Sequence, residues 1–109
     1  MVAQADIQMI VDRIVRQFHP LRVILFGSYA RDEGRPDSDI DLLVVLAKVE
    51  DKRRAAVAIY NALDDLTIPT DVVVTSPEEI ELRGQAVGNV LRPALSEGRI
   101  LYDAVRPAK

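Results

Sequence analysis

The chain has 109 residues, 49% hydrophobic and 28% charged, with 14 Lys and Arg against 17 Asp and Glu for a formal net charge of −3. That balance suits one globular domain with one core; no apolar run approaches the ~18–20 residues of a membrane helix, and the acidic balance argues against a protein that coats nucleic acid nonspecifically. With no cysteine and a single histidine, disulfide frameworks, thiolate zinc sites and histidine-based metal sites drop out. The start carries Asp6 and Asp12 but no Lys or Arg before residue 13, so no leader is expected and the reading is a cytoplasmic domain.

In chain order the elements alternate helix and strand. Ile7, Ile10, Val11, Ile14, Val15 and Phe18 form one apolar stripe, which predicts a helix over residues 4–18 that His19-Pro20 stops. Arg22 to Phe26 reads as a short strand running into Gly27-Ser28. Tyr29 to Glu33 reads as a short helix with Gly34 at its end, and Arg35 to Ser38 as a turn. Asp39 to Leu46 is the strongest strand, with Ile40, Leu42, Val44 and Leu46 on one face and Asp39, Asp41, Leu43 and Val45 on the other. Apolar residues on both faces mark it as central, and Leu43 and Val45 are expected to lie on a face that another molecule covers. Asp51 to Leu66 reads as a helix with Ala56, Ile59, Tyr60, Leu63 and Leu66 inward, and Asp71 to Thr75 as a strand. Ser76-Pro77-Glu78-Glu79 is a capping box opening a further helix. Gly84, Gly88 and Pro93 break up the segment that follows. Gly98 to Tyr102 reads as a last strand, which divides the chain into one domain over 1–103 and a flexible tail over 104–109.

Gly27-Ser28 ends one strand, whereas Asp39, Asp41 and Asp71 open the next two. They meet only if the first two strands are antiparallel and the third is parallel to the second, with the intervening helix as crossover. The fold class is therefore α/β (α+β), a mixed sheet of three or four strands flanked by helices. Asp39 and Asp41, at i and i+2 in a strand, present paired carboxylates that repel unless a cation lies between them. Hard oxygen donors suit Mg²⁺, and a third carboxylate allows a two-metal site. Gly27 permits close backbone approach to a phosphate, and Ser28 sits at a helix start. The implied reaction is phosphoryl or nucleotidyl transfer. Asp37, Asp39 and Asp41 mimic an EF-hand loop, but Leu42 and Lys48 stand where glycine and glutamate are required. Neither a P-loop nor a dinucleotide fingerprint occurs.

Leu25-Phe26-Gly27-Ser28-Tyr29-Ala30-Arg31, followed by Pro36-Asp37-Ser38-Asp39-Ile40-Asp41-Leu42-Leu43-Val44, resembles the signature of the DNA polymerase β superfamily of nucleotidyltransferases. More closely, it resembles the minimal nucleotidyltransferases of bacteria and archaea. The resemblance implies that Asp39, Asp41 and Asp71 are catalytic and hold two Mg²⁺ ions, with Asp71 beside the acceptor hydroxyl. It implies that Gly27, Ser28, Arg31 and Ser38 bind the nucleotide phosphates, with ATP as donor. Asp32 departs from the family pattern, where glycine is frequent. The implied function is transfer of AMP from ATP to a hydroxyl on a partner protein, the partner being a HEPN-domain toxin encoded by a neighbouring gene. A homo- or hetero-oligomer fits that reading; a membrane or a nucleic-acid substrate does not. The alternatives are a non-catalytic module that neutralises its partner by contact, and transfer to a small-molecule hydroxyl. Only 38 residues follow Asp71, too few for the extra domain the second alternative needs.

Overall fold

A helix built on the predicted stripe, α1 (Gln4–Phe18), opens the fold. Its Ile7, Ile10, Val11 and Ile14 are buried, and Val15 and Phe18 pack at the margin. The computed structural model describes residues 4–27, 39–83 and 98–104. The helix ends at His19, which takes a left-handed φ of 49° while its amide donates to the Val15 carbonyl at 3.1 Å. That bond gives an orphan carbonyl of the last turn its partner, and the buried Pro20 prevents continuation.

Among the described residues four strands follow: β1 (Arg22–Phe26), β2 (Ile40–Val45), β3 (Thr70–Thr75) and β4 (Arg99–Asp103). They form one sheet in the order β3-β2-β1-β4. β1 is antiparallel to β2 and to β4, while β2 and β3 are parallel, so the sheet is mixed and the predicted polarity of all three site-bearing strands holds. The parallel step is carried by α2 (Lys52–Ala62), which Asp51 caps by accepting the Arg54 amide at 3.1 Å. This helix is shorter than expected, because the chain turns from Leu63 onward instead of continuing to Leu66. The guanidinium of Arg13 on α1 pairs with Asp65 and donates to the Ala62 carbonyl at 3.1 Å, fastening the end of α2 to α1. A short α3 (Pro77–Arg83) begins where expected, with the Ser76 hydroxyl accepting the Glu79 amide at 3.3 Å.

The sheet has an apolar layer on each face. Against α1 and α2 lies the larger core, where Ile7, Ile10, Ile14 and Ile59 meet Val23, Leu25, Ile40, Leu42, Val44, Val72 and Val74. On the other face Ile24, Leu43 and Val45 are buried with Leu21, Phe26, Val73 and Ile80 of α3 packed against them. The expectation that Leu43 and Val45 await an external cover is therefore corrected: both are 0% exposed within this chain. A central strand flanked by apolar neighbours on both sides loses its water to its own sheet and helix, gaining about 1.5–3 kcal/mol per fully buried aliphatic side chain. The predicted helix over 29–33, the turn over 35–38, the break points Gly84, Gly88 and Pro93, and the tail beyond Ala104 lie outside the described residues. Ala104 itself donates its amide to the Leu21 carbonyl at 2.9 Å.

Candidate functional site

Strand polarity gathers the chemistry at one edge of the sheet. Phe26, the last residue of β1, pairs across the antiparallel ladder with Asp41, and Asp41 pairs across the parallel ladder with Asp71. Opposed residues in a ladder share a face, and so do i and i+2 along a strand. Asp41 and Asp71 therefore emerge on the face that carries Leu43, Val45 and Val73 deeper in, and Asp39, the residue before β2, is near enough for its charge to act on Asp41. The parallel register is pinned where β2 begins, the Ile40 amide donating to the Pro69 carbonyl at 3.0 Å. The Thr70 hydroxyl donates to the Ile68 carbonyl at 3.0 Å and shapes the entry to β3.

Asp39 and Asp71 are exposed, whereas Asp41 is half-buried between them. Burial holds the Asp41 carboxyl above its ordinary value of 3.8, and the neighbouring charges of Asp71 and then Asp39 push it further the same way. The field at Asp41 is thus the one a cation relieves. Gly27 closes directly over this residue. Its φ of 75° lies in the left-handed region, and a Cβ added there would overlap the Asp41 carboxylate, with Cγ only 3.1 Å away. Glycine at position 27 is required twice, by the backbone turn and by the close approach of Asp41.

The donor set of three carboxylates, hard oxygens without nitrogen or sulfur, fits Mg²⁺. Among the described residues, however, no three potential ligands are already drawn together around a single point. The aspartates supply charge and a common face; a closed coordination shell needs further oxygens, and nucleotide phosphates are of that type. Ser28, Arg31 and Ser38, the other expected phosphate-binding residues, lie outside the described residues, as does Arg35.

One residue escaped sequence reasoning. Tyr60 on α2 was expected in the buried stripe, yet it is 39% exposed and its hydroxyl serves the site. The hydroxyl accepts the Val72 amide at 2.8 Å and donates to Asp71 Oδ1 at 3.2 Å. Burial raises the phenol's pKa, the Val72 amide opposes that shift, and the charges of Asp71 and Asp39 add to it, so the proton stays on Tyr60. The available signal was chemical: a tyrosine on an inward stripe needs a partner for its hydroxyl, and a carboxylate opens the next strand.

At the opposite end of the parallel pair, the buried Thr75 donates its hydroxyl to Glu79 at 2.6 Å, and Lys52 pairs with the same carboxylate at 2.7 Å. An open cavity of about 440 Å³ there is lined by Val49, Lys52, Ser76, Glu78, Glu79 and Leu82. None of the aspartates lines it.

A model of the nucleotidyltransferase domain matches residues 7–100, nearly the whole chain. The chain belongs to the nucleotidyltransferase domain family. This nucleotidyltransferase is similar in fold to a crystal structure of a candidate nucleotidyltransferase from Sulfolobus solfataricus, with 20% identity and a TM-score of 0.65 over 94% of this chain and 82% of that one. It is also similar to a chain in a toxin–antitoxin crystal structure with AMP-PNP, at 24% identity and a TM-score of 0.54, covering 88% of this chain and 73% of that one. A third similar chain occurs in a tyrosine-to-alanine mutant of the toxin–antitoxin MntA-HpeT, at 25% identity and a TM-score of 0.53, covering 94% and 74%. No curated protein matches. The expected family, the mixed α/β core and the transferase class are borne out.

Proposed function

We propose that this nucleotidyltransferase transfers AMP from ATP to a hydroxyl on a partner protein, as the antitoxin of a pair whose toxin is a HEPN-domain protein. The observation that carries the chemistry is the register Asp41↔Asp71, with the charge of Asp39 acting on Asp41 from just before the strand. The toxin–antitoxin setting is supported by the similar chains found in such complexes, one of them with the adenine nucleotide AMP-PNP. The cytoplasm, where ATP and a freshly made toxin meet, is the compartment this reading implies.

In the reaction the acceptor oxygen forms a bond to the α-phosphorus of ATP, the bond to the β-phosphate bridging oxygen breaks, and pyrophosphate leaves. Asp39, Asp41 and Asp71 would hold Mg²⁺, which supplies charge neutralisation on the triphosphate and lowers the cost of ionising the acceptor. The chain's own contribution is placement. Gly27 brings backbone to the Asp41 carboxylate without an intervening side chain, and Ser28, Arg31 and Ser38 are the proposed phosphate contacts. Asp71, on the outer strand, faces the acceptor side and receives the hydroxyl proton or directs its departure.

The test is to incubate the protein with α-labelled ATP, Mg²⁺ and the product of the neighbouring gene, and to look for AMP on that product by mass spectrometry. Transfer is expected with the wild type, and neither with the doubly substituted Asp39→Asn/Asp41→Asn protein nor in excess EDTA. Neutralisation of the partner by both proteins alike, with no added mass, overturns the proposal.

A further inference from the structure

We infer that Tyr60 is a positioning residue of the nucleotidyl-transfer site, its hydroxyl fixing the direction in which Asp71 offers its carboxylate. The inference rests on the proposed role of Asp71 as the carboxylate beside the acceptor. Among the described residues β3 is the edge of the sheet, and the strand carrying Asp71 has a partner strand on one side only. On the other side the Val72 amide meets the Tyr60 hydroxyl at 2.8 Å, and that same hydroxyl reaches Asp71 Oδ1 at 3.2 Å. A phenol carries one proton. Because the amide is a donor, Tyr60 accepts there, and its single proton is left for Asp71. The direction of both bonds is thereby determined.

Three consequences follow from that small network. Asp71 is exposed, and an exposed aspartate otherwise samples several side-chain rotamers. The bond to Oδ1 removes part of that freedom and leaves Oδ2, which would serve a cation and the acceptor. The hydroxyl is also anchored to backbone next to Asp71, so donor and carboxylate move with the same strand. Finally, Tyr60 stands on α2, whose neighbours Ile59 and Leu63 are buried in the main core, so the phenol is carried by a rigid element. A tyrosine serving only to satisfy the Val72 amide has no need to reach Asp71.

The test is Tyr60→Phe, which keeps the ring and deletes the hydroxyl, assayed below the thermal midpoint of both proteins as read by circular dichroism. The expected result is a fall in kcat of about 10- to 100-fold with the KM for ATP within about twofold, the size of penalty that misplacing a reacting group brings. In an Asp71→Asn background the same substitution is expected to change kcat less than about twofold, because the carboxylate to be positioned is gone. A lowered melting temperature with unchanged kcat assigns the hydroxyl to edge capping alone and overturns the inference. If the wild type transfers no AMP, the functional reading falls on its own, and binding of Mn²⁺ with AMP-PNP, followed by Mn²⁺ electron paramagnetic resonance, decides on Tyr60. Mn²⁺ binding at least about threefold weaker in Tyr60→Phe sustains the positioning role, and equal binding overturns it.

Discussion

Replacing Gly27 by alanine tests the geometry of the site without any substrate. The φ of 75° places an alanine in the left-handed region, at a cost of about 1–2 kcal/mol. The added Cβ also overlaps the Asp41 carboxylate, whose Cγ lies 3.1 Å from the Cβ position; relieving such an overlap by shifting side chain or strand costs about 1–3 kcal/mol. The two costs separate in a double-mutant cycle. In an Asp41→Ala background the carboxylate is gone and the remaining contact, Asp41 Cβ at 3.4 Å, is ordinary van der Waals distance. Gly27→Ala is then expected to cost about 2–5 kcal/mol in the wild-type background and about 1–2 kcal/mol in the Asp41→Ala background, a coupling of about 1–3 kcal/mol. Urea unfolding followed by circular dichroism measures all four proteins, with m unchanged as the check that only stability has moved. Equal losses in the two backgrounds would refute the close approach of Gly27 to Asp41. No loss in either would refute the left-handed turn as well.

Asp41→Asn is expected to abolish transfer and yet raise stability. The folded state holds the Asp41 proton more tightly than the unfolded chain, because burial, Asp71 and Asp39 all raise its pKa above 3.8. The cost of ionising it is therefore fully present above the folded-state pKa and disappears as the pH falls through that value and below 3.8. Scanning calorimetry at pH 7 is expected to show a midpoint above wild type, with the gap closing as the pH falls below 3.8; an equal or lower midpoint at pH 7 contradicts the electrostatic account. Thr75→Val removes the buried hydroxyl that donates to Glu79 at 2.6 Å, and a hydrogen bond to a charged acceptor contributes about 1.5–3 kcal/mol. Urea midpoints are expected to fall accordingly while kcat for AMP transfer stays unchanged, since Thr75 stands at the far end of the strand from Asp71.

Much of this arrangement was legible because few physical rules decide it. The stripe from Ile7 to Phe18 admits one helix, and strand polarity follows from which end of each strand carries Gly27, Asp41 or Asp71. What stayed hidden depends on shape. Leu43 and Val45 look alike in sequence whether a partner or the chain's own Ile80 covers them, because periodicity reports that a face is apolar and not what lies on it. Tyr60 falls on a helical stripe beside Ile59, and only the register of β3 shows that its hydroxyl reaches a backbone amide and a carboxylate. The end of α2 is hidden for a related reason: Leu63 and Leu66 continue the apolar pattern, but the chain turns after Ala62 and Leu63 meets the core from the turn.

The carboxylates also help to specify the fold that positions them. Asp41 and Asp71 share their face with the small core of Leu43, Val45 and Val73, while Leu42, Val44, Val72 and Val74 face the large core. Because side chains alternate along a strand, a one-residue slip of β3 against β2 sends Asp71 to the large-core face and exchanges every valine with it. An unpaired carboxylate in apolar surroundings costs several kcal/mol. The native register avoids that cost, and both ends of the ladder are tied: the Ile40 amide to the Pro69 carbonyl at 3.0 Å, the Leu46 amide to the Thr75 carbonyl at 2.9 Å. Mutual repulsion of the three aspartates opposes the same register. The apolar residues two positions further along each strand outweigh it, so the sheet can hold three like charges at one edge. That excess of negative charge is what divalent cations would neutralise, so the end of this sheet where like charges crowd and the proposed reactive end coincide.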